Sequence, residues 1–310
     1  MTEGPGFRGS GNTRIGHLPA VTWTPARPHF SGFLIVDSAP RQASKQTDRE
    51  VAITASRAGA EVVRAAFGSD FRTDFKGAVN PVTEVDRAAE TAILEVLATH
   101  RPADGVLCEE TGGQTRPEGR RWIVDPLDGT VNFLHGHPHV AVSVGLWDGD
   151  EPLVGVIIDV ARNETFSAVR GKGAFLNGHP ISVSSPTGLQ DSLIGTGFPY
   201  DRNRKGPDYT AVAGEVMTRV RDIRRLGSAA LDFAWVACGR FDGFWEYGIY
   251  PWDVAAGLVL VEEAGGLTAD LDSSPARVDS TNFIIGASSI FYPLVDLIRS
   301  LTPPYVRSGS

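Results

Sequence analysis

The apolar positions before residue 100 follow the spacing of two helices. Thr47-Asp48-Arg49-Glu50 has the pattern of a capping box, and apolar residues at 51, 55, 58 and 62 then fall on one helical face. A second helix is predicted to begin at Thr83. Between the two, Lys76 lies in a loop that contains glycine and proline, so we interpret it as a solvated lysine.

Short apolar runs predict a set of strands in the middle of the chain. Residues 105–108 and 122–124 predict strands that end at Glu109 and Asp125, because Pro126 lacks the donor that would continue a ladder. Runs at 140–146, 153–159 and 164–169, separated by short turns, predict an antiparallel meander. Asn177-Gly178 indicates a further hairpin.

From residue 189 the pattern changes to alternating strands and helices. Strands are predicted at 193–196, 222–225, 241–246 and 283–285, and helices at 209–220, 229–237, 254–264 and 290–301. The change predicts four regions: an extension at 1–45, an α+β subdomain with an antiparallel sheet at 46–187, an α/β subdomain at 188–302 and a tail at 303–310. The predicted fold class is therefore a layered α+β or α/β protein.

Composition narrows the class of protein further. The chain has 310 residues, of which 42% are hydrophobic and 21% charged, which is ordinary for a globular protein with a large core. Its formal net charge of −8 argues against nucleic acid as the main partner. The sequence contains no stretch with the length of a transmembrane helix, so we expect no membrane partner and a cytoplasmic location.

Residues 1–45 differ from the rest of the chain. They contain six glycines and five prolines without a sustained period, which predicts a disordered extension. An excess of arginine over acids leaves an organellar transit peptide open, although glycine and proline disfavour the amphipathic helix that it needs.

The two cysteines, Cys108 and Cys238, lie in apolar segments and are predicted to be free thiols of a reducing compartment.

The segment 122–133 combines a predicted strand with two acids and a hydroxyl group. Asp125 and Asp128 are followed at once by Gly129 and Thr130. Hard divalent cations such as Mg²⁺ prefer oxygen ligands of this kind. Aspartate beside proline or glycine is also ordinary turn chemistry, so this motif alone leaves a solvated turn open.

Four motifs, in order, make the chain similar to the inositol monophosphatase family of Mg²⁺-dependent, lithium-sensitive phosphomonoesterases. They are Glu109-Glu-Thr111, Asp125-Pro-Leu-Asp-Gly-Thr-Val-Asn-Phe133, Gly227-Ser-Ala-Ala230 and Trp252-Asp-Val-Ala-Ala-Gly257. The resemblance implies a five-layer α-β-α-β-α sandwich and a homodimer. It also implies hydrolysis of a small phosphorylated polyol, most readily inositol 1-phosphate, by direct attack of a metal-activated water.

The resemblance further implies two to three bound Mg²⁺ ions. Glu109, Asp125 and the backbone carbonyl of Leu127 would hold the first ion, and Glu109 would reach a third through waters. Asp125, Asp128 and Asp253 would hold the second, so that Asp125 bridges the pair. Without cations, carboxylates that converge in this way would repel one another and raise their own pKa values.

The catalytic contacts are implied in the same way. Glu109 and Thr130 would orient or deprotonate the attacking water, and Asp86 would bond the Thr130 hydroxyl. Asp86 also fits a simpler role, as a first-turn acid favoured by the helix dipole. The backbone N–H groups of Gly129 and Thr130 would face the phosphate.

The substrate contacts implied by the resemblance come from three later segments. Glu246 and Asp253 would bind hydroxyl groups of the polyol. The loop formed by Gly227, Ser228 and Ala229 would lie over the substrate, while Ser228 also fits an N-cap for the following helix.

Several alternatives remain open. The same chemistry fits fructose 1,6-bisphosphate, histidinol phosphate or a 3′-phosphoadenosine nucleotide, although the run 227–232 and Glu246 favour the inositol branch. A catalytically silent binding or regulatory protein on the same fold is a third hypothesis. His135, His137 and His139 invite a zinc site that their loop spacing does not favour. Glu110, beside Glu109 at a strand end, is expected to point away from it and to be structural or solvated.

Overall fold

The computed structural model describes residues 46–69, 73–75, 81–112, 119–272 and 274–307. The predicted extension at 1–45 and the loop lysine Lys76 lie outside the described residues. Helices in the described ranges are α1 (Asp48–Ala66), α2 (Glu84–His100), α3 (Thr130–Leu134), α4 (Arg202–Met217), α5 (Ala229–Ala237), α6 (Pro251–Glu263), α7 (Phe291–Leu301) and α8 (Pro304–Arg307).

The first helix begins at the predicted capping box. The Thr47 side chain accepts from the Glu50 N–H at 3.3 Å, and the Thr47 N–H donates to the Glu50 carboxylate at 2.8 Å. These bonds satisfy donors that a helix start leaves unpaired. The buried face is rotated from the predicted one: Ala52 and Val63 are fully buried, whereas positions 58 and 62 are half-buried.

The strands of the described ranges form one short ribbon and two sheets. The ribbon pairs β1 (Thr73–Phe75) with β2 (Pro81–Thr83). The first sheet has the order 3-4-5-6-7-8-9 and contains β3 (Gly105–Cys108), β4 (Arg120–Asp128), β5 (Ala141–Asp148), β6 (Glu151–Asp159), β7 (Glu164–Val169), β8 (Ala174–Leu176) and β9 (His179–Ile181). The pair β3–β4 is parallel, and the later neighbours are antiparallel, as the meander pattern predicts.

The second sheet contains the strands that alternate with helices. Its members are β10 (Leu193–Thr196), β11 (Asp222–Arg224), β12 (Gly243–Tyr247), β13 (Leu267–Ala269) and β14 (Asn282–Gly286), in the order 11-10-12-14-13. Strands β11, β10 and β12 run parallel, and β14 lies antiparallel to both of its neighbours. Helix α4 connects β10 to β11, and α5 connects β11 to β12, which explains the alternating sequence pattern.

Helices and sheets stack in five layers. Apolar side chains of α1 and α2 pack against one face of the first sheet. Helices α5 and α6 form the central layer between the two sheets, and their residues build the largest apolar cluster of the described residues. Helices α4 and α7 cover the outer face of the second sheet. The α-β-α-β-α sandwich predicted from the resemblance is confirmed.

Two facing glycines allow α6 to lie close to the first sheet. Gly145 on β5 is paired directly with Gly155 on β6. A Cβ atom at Gly155 would stand 2.3 Å from the carbonyl oxygen of Ala256, and one at Gly145 would stand 2.9 Å from the carbonyl carbon of Ala255. The backbone of α6 therefore occupies the space that side chains would need at these two positions.

The structure corrects several boundaries. Strand β4 continues past Pro126 to Asp128, where the sequence predicts an end at Asp125. Helix α4 begins at Arg202 rather than 209, because residues 202–208 are polar, glycine or proline and give no apolar period. The pattern misses α3 and β13, which are only five and three residues long. Helix α8 lies within the stretch predicted as a tail.

The structure also bears on two predictions made from composition. Cys108 and Cys238 are both free thiols, as predicted, and Cys108 is buried. Among the described residues, the helices are all too short or too polar to cross a membrane.

The glycine pair under α6 generates the first prediction. We expect Gly155→Ala to lower the free energy of unfolding by about 2–3 kcal/mol, because the new methyl group overlaps a backbone oxygen that cannot rotate away. The control is Gly214→Ala on the exposed face of α4, where a Cβ meets nothing within 4 Å. That change should raise stability by about 0.5–1 kcal/mol through helix propensity. Urea unfolding of both variants measures the difference, and equal stabilities would contradict the steric argument.

Candidate metal centre and active site

Three predicted metal ligands come together at one edge of the first sheet. Carboxylate oxygens of Asp125, Asp128 and Asp253 lie within 4.8 Å of one another. The first two belong to the end of β4, and Asp253 lies in the first turn of α6. Among the histidine, cysteine and acidic side chains of the described residues, these three acids lie close enough together to hold a metal ion.

An irregularity in β4 brings the two strand acids onto one face. Asp125 pairs with Ser143 and Asp128 with Ala141, so three steps along β4 match two steps along β5. Ser143 and Ala141 are two residues apart and share a face, and the Ser143 hydroxyl reaches the carbonyl of Trp252 at the start of α6. The extra residue in β4 is a β-bulge that turns Asp128 toward the central layer.

Glu109 reaches the same edge from the neighbouring strand. Its N–H donates to the carbonyl of Val124 at 3.2 Å, which continues the parallel pairing of β3 and β4. Carboxyl ends of parallel strands meet at one edge, so Glu109 follows β3 where Asp125 follows the regular part of β4. The negative charge of Glu109 raises the pKa values of both Asp125 and Asp253, although its oxygens lie outside the 4.8 Å cluster.

The start of α5 holds Asp128 in place. The Ser228 hydroxyl donates to Asp128 Oδ2 at 2.6 Å, and the Ala230 N–H donates to the same oxygen at 2.7 Å. Ser228 also accepts from the Leu231 N–H at 3.4 Å, so the N-cap hypothesis and the contact with the site are both observed. Burial raises the pKa of Asp128 to about 6, against these hydrogen bonds and the N–H of Ala229, which lower it.

Burial and mutual repulsion raise the pKa values of the other two carboxylates of the cluster. Burial, followed by the charges of Glu109 and Asp128, raises the pKa of Asp125. The Leu127 N–H donates a hydrogen bond to Asp125 at 2.9 Å and lowers the same pKa. Burial and then Asp128 and Glu109 raise the pKa of Asp253. Several carboxylates held close together are unfavourable as anions when no cation is bound. This donor set therefore fits hard divalent cations, whose charge would offset the repulsion.

Thr130 lies two residues after Asp128, and its side chain contacts α2. Its hydroxyl lies 3.1 Å from Asp86 Oδ1 and 3.1 Å from the carbonyl of Leu127. Asp86 is 1% exposed and also accepts from the Thr83 N–H at 2.8 Å, closing the capping box of α2. Burial raises the pKa of Asp86, against its hydrogen bonds to Thr83 and Thr130. Both suggested positions of Asp86, at a helix start and beside Thr130, are thus observed.

Sequence reasoning overlooked Glu90, which lies one turn after Asp86 on the buried face of α2. The side chain is 1% exposed. Its two carboxylate oxygens accept from the N–H groups of Glu110 and Thr111 at 3.0 and 3.1 Å. Glu90 therefore holds the loop that carries Glu109. The available signal was an acid on the same helical face as Val85, Ile93 and the other apolar residues of α2.

Close backbone contacts join the β4 end to the loop before α5. Gly129 has φ +93°, and a Cβ there would stand 2.9 Å from the His139 carbonyl oxygen and 3.3 Å from that of Gly227. The side-chain amide of Asn132 donates to the carbonyls of His139 and Leu226 at 2.8 Å each. Residues of both subdomains predicted from the sequence are thereby joined beside the carboxylates.

A cavity of about 660 Å³ opens over the carboxylates. Its lining includes every residue predicted to contact metal or substrate, and Asp86 lies behind it through Thr130. Glu246 on β12 approaches so closely that a Cβ at Gly197 would stand 2.1 Å from its carboxylate. Burial raises the pKa of Glu246 to about 8, opposed by Arg225 and reinforced by Asp128. Sequence reasoning did not single out Gly197 or Arg225.

The three clustered histidines do not form a metal site in the described part of the chain. His139 is 1% exposed and packs edge-on against Trp235 with ring centroids 5.0 Å apart. Burial, then the charges of Arg162 and His137, lowers the pKa of His139 to about 3. A neutral core histidine is the better interpretation, and the zinc hypothesis is not supported.

Comparison with known proteins agrees with this geometry. A sequence model described as the inositol monophosphatase family matches residues 44–300. The chain belongs to the inositol monophosphatase family. It is a family of phosphatases, and the four motifs that suggested it all lie within the matched range.

Individual members of the inositol monophosphatase family resemble the chain over most of its length. An inositol-1-monophosphatase of Rhizobium meliloti is 42% identical over 235 residues, covering 76% of this chain and 88% of the relative. Nus factor SuhB of Pseudomonas aeruginosa is 39% identical over 267 residues, covering 83% and 97%. The crystal structure of extragenic suppressor protein suhB from Bartonella henselae has a TM-score of 0.77 at 37% identity, covering 82% and 98%.

The support that Glu90 gives to the Glu109 loop generates a prediction for cation binding. We expect Glu90→Gln to weaken the binding of a divalent cation by about tenfold, because an amide N–H₂ would face one of the two backbone N–H groups. Isothermal titration with Mg²⁺ measures the change. Glu95→Gln, on the exposed face of the same helix, is the matched control. Equal affinities in the two variants would show that Glu90 does not support the site.

Burial of His139 generates a prediction for acid stability. In the unfolded chain this histidine takes up a proton near pH 6.5, whereas in the folded chain it stays neutral to about pH 3. The unfolded state therefore binds more protons below pH 6.5, and the free energy of unfolding should fall as the pH drops through that value. Urea unfolding between pH 7 and 5 should show a shallower fall in His139→Phe. His179→Phe, at an exposed position, should keep the wild-type slope.

Proposed function

We propose that the chain hydrolyses a phosphate monoester with the help of Mg²⁺, and that inositol 1-phosphate is its preferred substrate. The observation that carries this proposal is the cluster of three carboxylates within 4.8 Å, of which Asp125 is buried and Asp128 and Asp253 are half-buried, in a cavity that is also lined by Thr130 and Glu246. Relatives named inositol-1-monophosphatase support the substrate.

The proposed metal ligands follow the positions of the side chains. Glu109, Asp125 and the carbonyl of Leu127 would hold one Mg²⁺, and Asp125, Asp128 and Asp253 would hold a second, with Glu109 also serving a third ion through waters. When bound, the cations would supply Lewis-acid activation of water and neutralise charge on the phosphoryl group and the leaving oxygen. Asp125, with neighbours on both sides, is the ligand shared between the two positions.

Thr130 and Asp86 supply the proton acceptor in this proposal. The Thr130 hydroxyl can accept a hydrogen bond from the attacking water while its own proton points to Asp86 Oδ1 at 3.1 Å. Because burial raises the pKa of Asp86, that carboxylate takes up a proton more readily than an exposed aspartate. Glu109 lies at the same edge and orients the water from the other side.

The remaining residues position the substrate. Backbone N–H groups of Gly129 and Thr130 would donate to phosphate oxygens. Glu246 would bind hydroxyl groups of the polyol, together with Asp253 and the loop of Gly227, Ser228 and Ala229. The Ser228 hydroxyl and the Ala230 N–H already hold Asp128, so this loop fixes a metal ligand and covers the substrate at once.

The location and assembly of the protein are part of the same proposal. We infer a cytoplasmic protein from the free thiols of Cys108 and Cys238, which suit a reducing compartment. A homodimer is inferred from the family resemblance alone.

Replacement of the shared ligand tests the proposal. We expect Asp125→Asn to lower Mg²⁺-dependent phosphate release at least a thousandfold while the far-UV spectrum stays that of the wild type, because one charge is removed from the ligand common to both cations. Asp148→Asn, at an exposed position on β5, is the control and should keep wild-type activity. Wild-type turnover in Asp125→Asn would refute the assignment of the metal site.

The substrate is decided by a panel of esters assayed with and without Mg²⁺. Inositol 1-phosphate should show the highest kcat/KM against fructose 1,6-bisphosphate, histidinol phosphate, 3′-phosphoadenosine 5′-phosphate and glycerol 2-phosphate. Li⁺, a small cation able to replace one Mg²⁺, should inhibit the reaction. Preference for another ester would keep the metal site and change the substrate. If no ester releases phosphate, the hypothesis of a catalytically silent binding protein would be favoured. The intact carboxylate cluster gives that hypothesis no support.

A further inference from the structure

Asp232 is a buried acid that the proposed reaction does not use. It lies in the first turn of α5, is 1% exposed and lines the same cavity as the metal ligands. Its Oδ1 atom has no hydrogen-bond partner in the protein. A buried carboxylate oxygen without a donor is unfavourable, so its position requires an explanation.

The groups around Asp232 do not satisfy that oxygen. Glu246 and Asp128 are the negative groups whose charges act on Asp232, and after burial they raise its pKa well above the ordinary value. Arg225 is the neighbouring cation and acts in the opposite direction. Position in the first turn of a helix is favourable for an acid through the dipole. That role needs no contact with the cavity, however, and an exposed side chain would fill it equally well.

The chemistry of this part of the cavity selects a particular kind of ligand. Two carboxylates, Asp232 and Glu246, provide acceptors, and the Arg225 guanidinium provides donors. Hydroxyl groups both donate and accept, so several of them on one small ring could meet all three side chains at once. An apolar or aromatic leaving group would offer Asp232 no hydrogen bond and would gain nothing from this contact.

We propose that the Asp232 carboxyl group accepts a hydrogen bond from a hydroxyl group of the leaving polyol, and that Asp232 thereby restricts the enzyme to phosphate esters of polyhydroxylated compounds. This inference rests on the proposed phosphatase function and adds to it a residue that determines specificity. Asp232 differs from the metal ligands because it would contact only the leaving group, whereas Asp125, Asp128 and Asp253 would hold the cations.

Two esters separate this role from a structural one. Inositol 1-phosphate carries hydroxyl groups on its leaving group, and p-nitrophenyl phosphate carries none. In Asp232→Ala we expect kcat/KM for inositol 1-phosphate to fall roughly ten- to hundredfold, the range expected when a buried hydroxyl group loses its hydrogen-bond partner, chiefly through KM. The value for p-nitrophenyl phosphate should stay within about twofold. Asp232→Asn keeps one acceptor oxygen and should recover part of the loss.

The contrary outcomes are equally definite. Equal losses on both esters would show that Asp232 supports the metal site or the fold, and no loss on either would show that it does not meet the substrate; each result overturns the inference. If Asp232→Ala does not fold, Asp232→Asn carries the same comparison with a smaller expected loss. Asp148→Asn serves again as the control for removal of one charge.

A binding measurement separates failure of this inference from failure of the proposed function. If the wild-type chain hydrolyses neither ester, calorimetric titration with free inositol in the presence of Mg²⁺ and inorganic phosphate replaces the assay. Binding to the wild type that is at least tenfold weaker in Asp232→Ala would support the contact. Equal binding, or none to either protein, would overturn it.

Discussion

Repulsion among clustered carboxylates is the constraint on which the rest of this structure depends. Carboxylate oxygens of Asp125, Asp128 and Asp253 lie within 4.8 Å of one another, and Asp125 is buried while Asp128 and Asp253 are half-buried. Hydrogen bonds offset part of the cost, from the Leu127 N–H to Asp125 and from the start of α5 to Asp128. The remaining cost makes cation binding and stability of this region one linked equilibrium. Folding therefore brings these carboxylates into an arrangement that favours cation binding.

The layers of the sandwich can be understood as the means of bringing these acids together. The parallel pair β3–β4 places Glu109 beside Asp125, and the facing glycines of β5 and β6 let α6 carry Asp253 close to the sheet. Behind the cluster, α2 holds both Thr130 and the Glu109 loop through two acids one turn apart. These contacts come from several elements, so the site forms only when the helices and strands that carry them are packed together.

Much of the fold and of the site could be predicted from the sequence, for identifiable reasons. Segments with a clear apolar period, such as β7 and α5, have the predicted bounds, and the capping box at Thr47 marks the start of α1. Residues of the four motifs are found around one cavity because local turns fix them at the ends of strands and helices. Short elements such as β13 carry too few residues to show any period.

What the sequence could not supply was contact between distant segments. Glu90 and Asp232 look like ordinary helix acids along the chain, and only packing shows that one supports a loop and the other faces a cavity. The same holds for Gly197, whose lack of a side chain matters because Glu246 comes from a strand far along the chain to lie against it. His139 shows the converse: polar residues close in sequence suggested a ligand set, and burial beside Trp235 makes it part of the core.

The bulge in β4 has a consequence for how this sequence can change over evolutionary time. Because side chains alternate along a strand, the number of residues between Asp125 and Asp128 decides which layer of the sandwich the second acid faces. Substitution of Pro126 or Leu127 leaves that parity intact. Loss or gain of a single codon there would turn Asp128 toward α1 and α2, into the apolar cluster that already contains Leu127. The identities of residues 126 and 127 can therefore change during evolution, but the number of residues between Asp125 and Asp128 cannot.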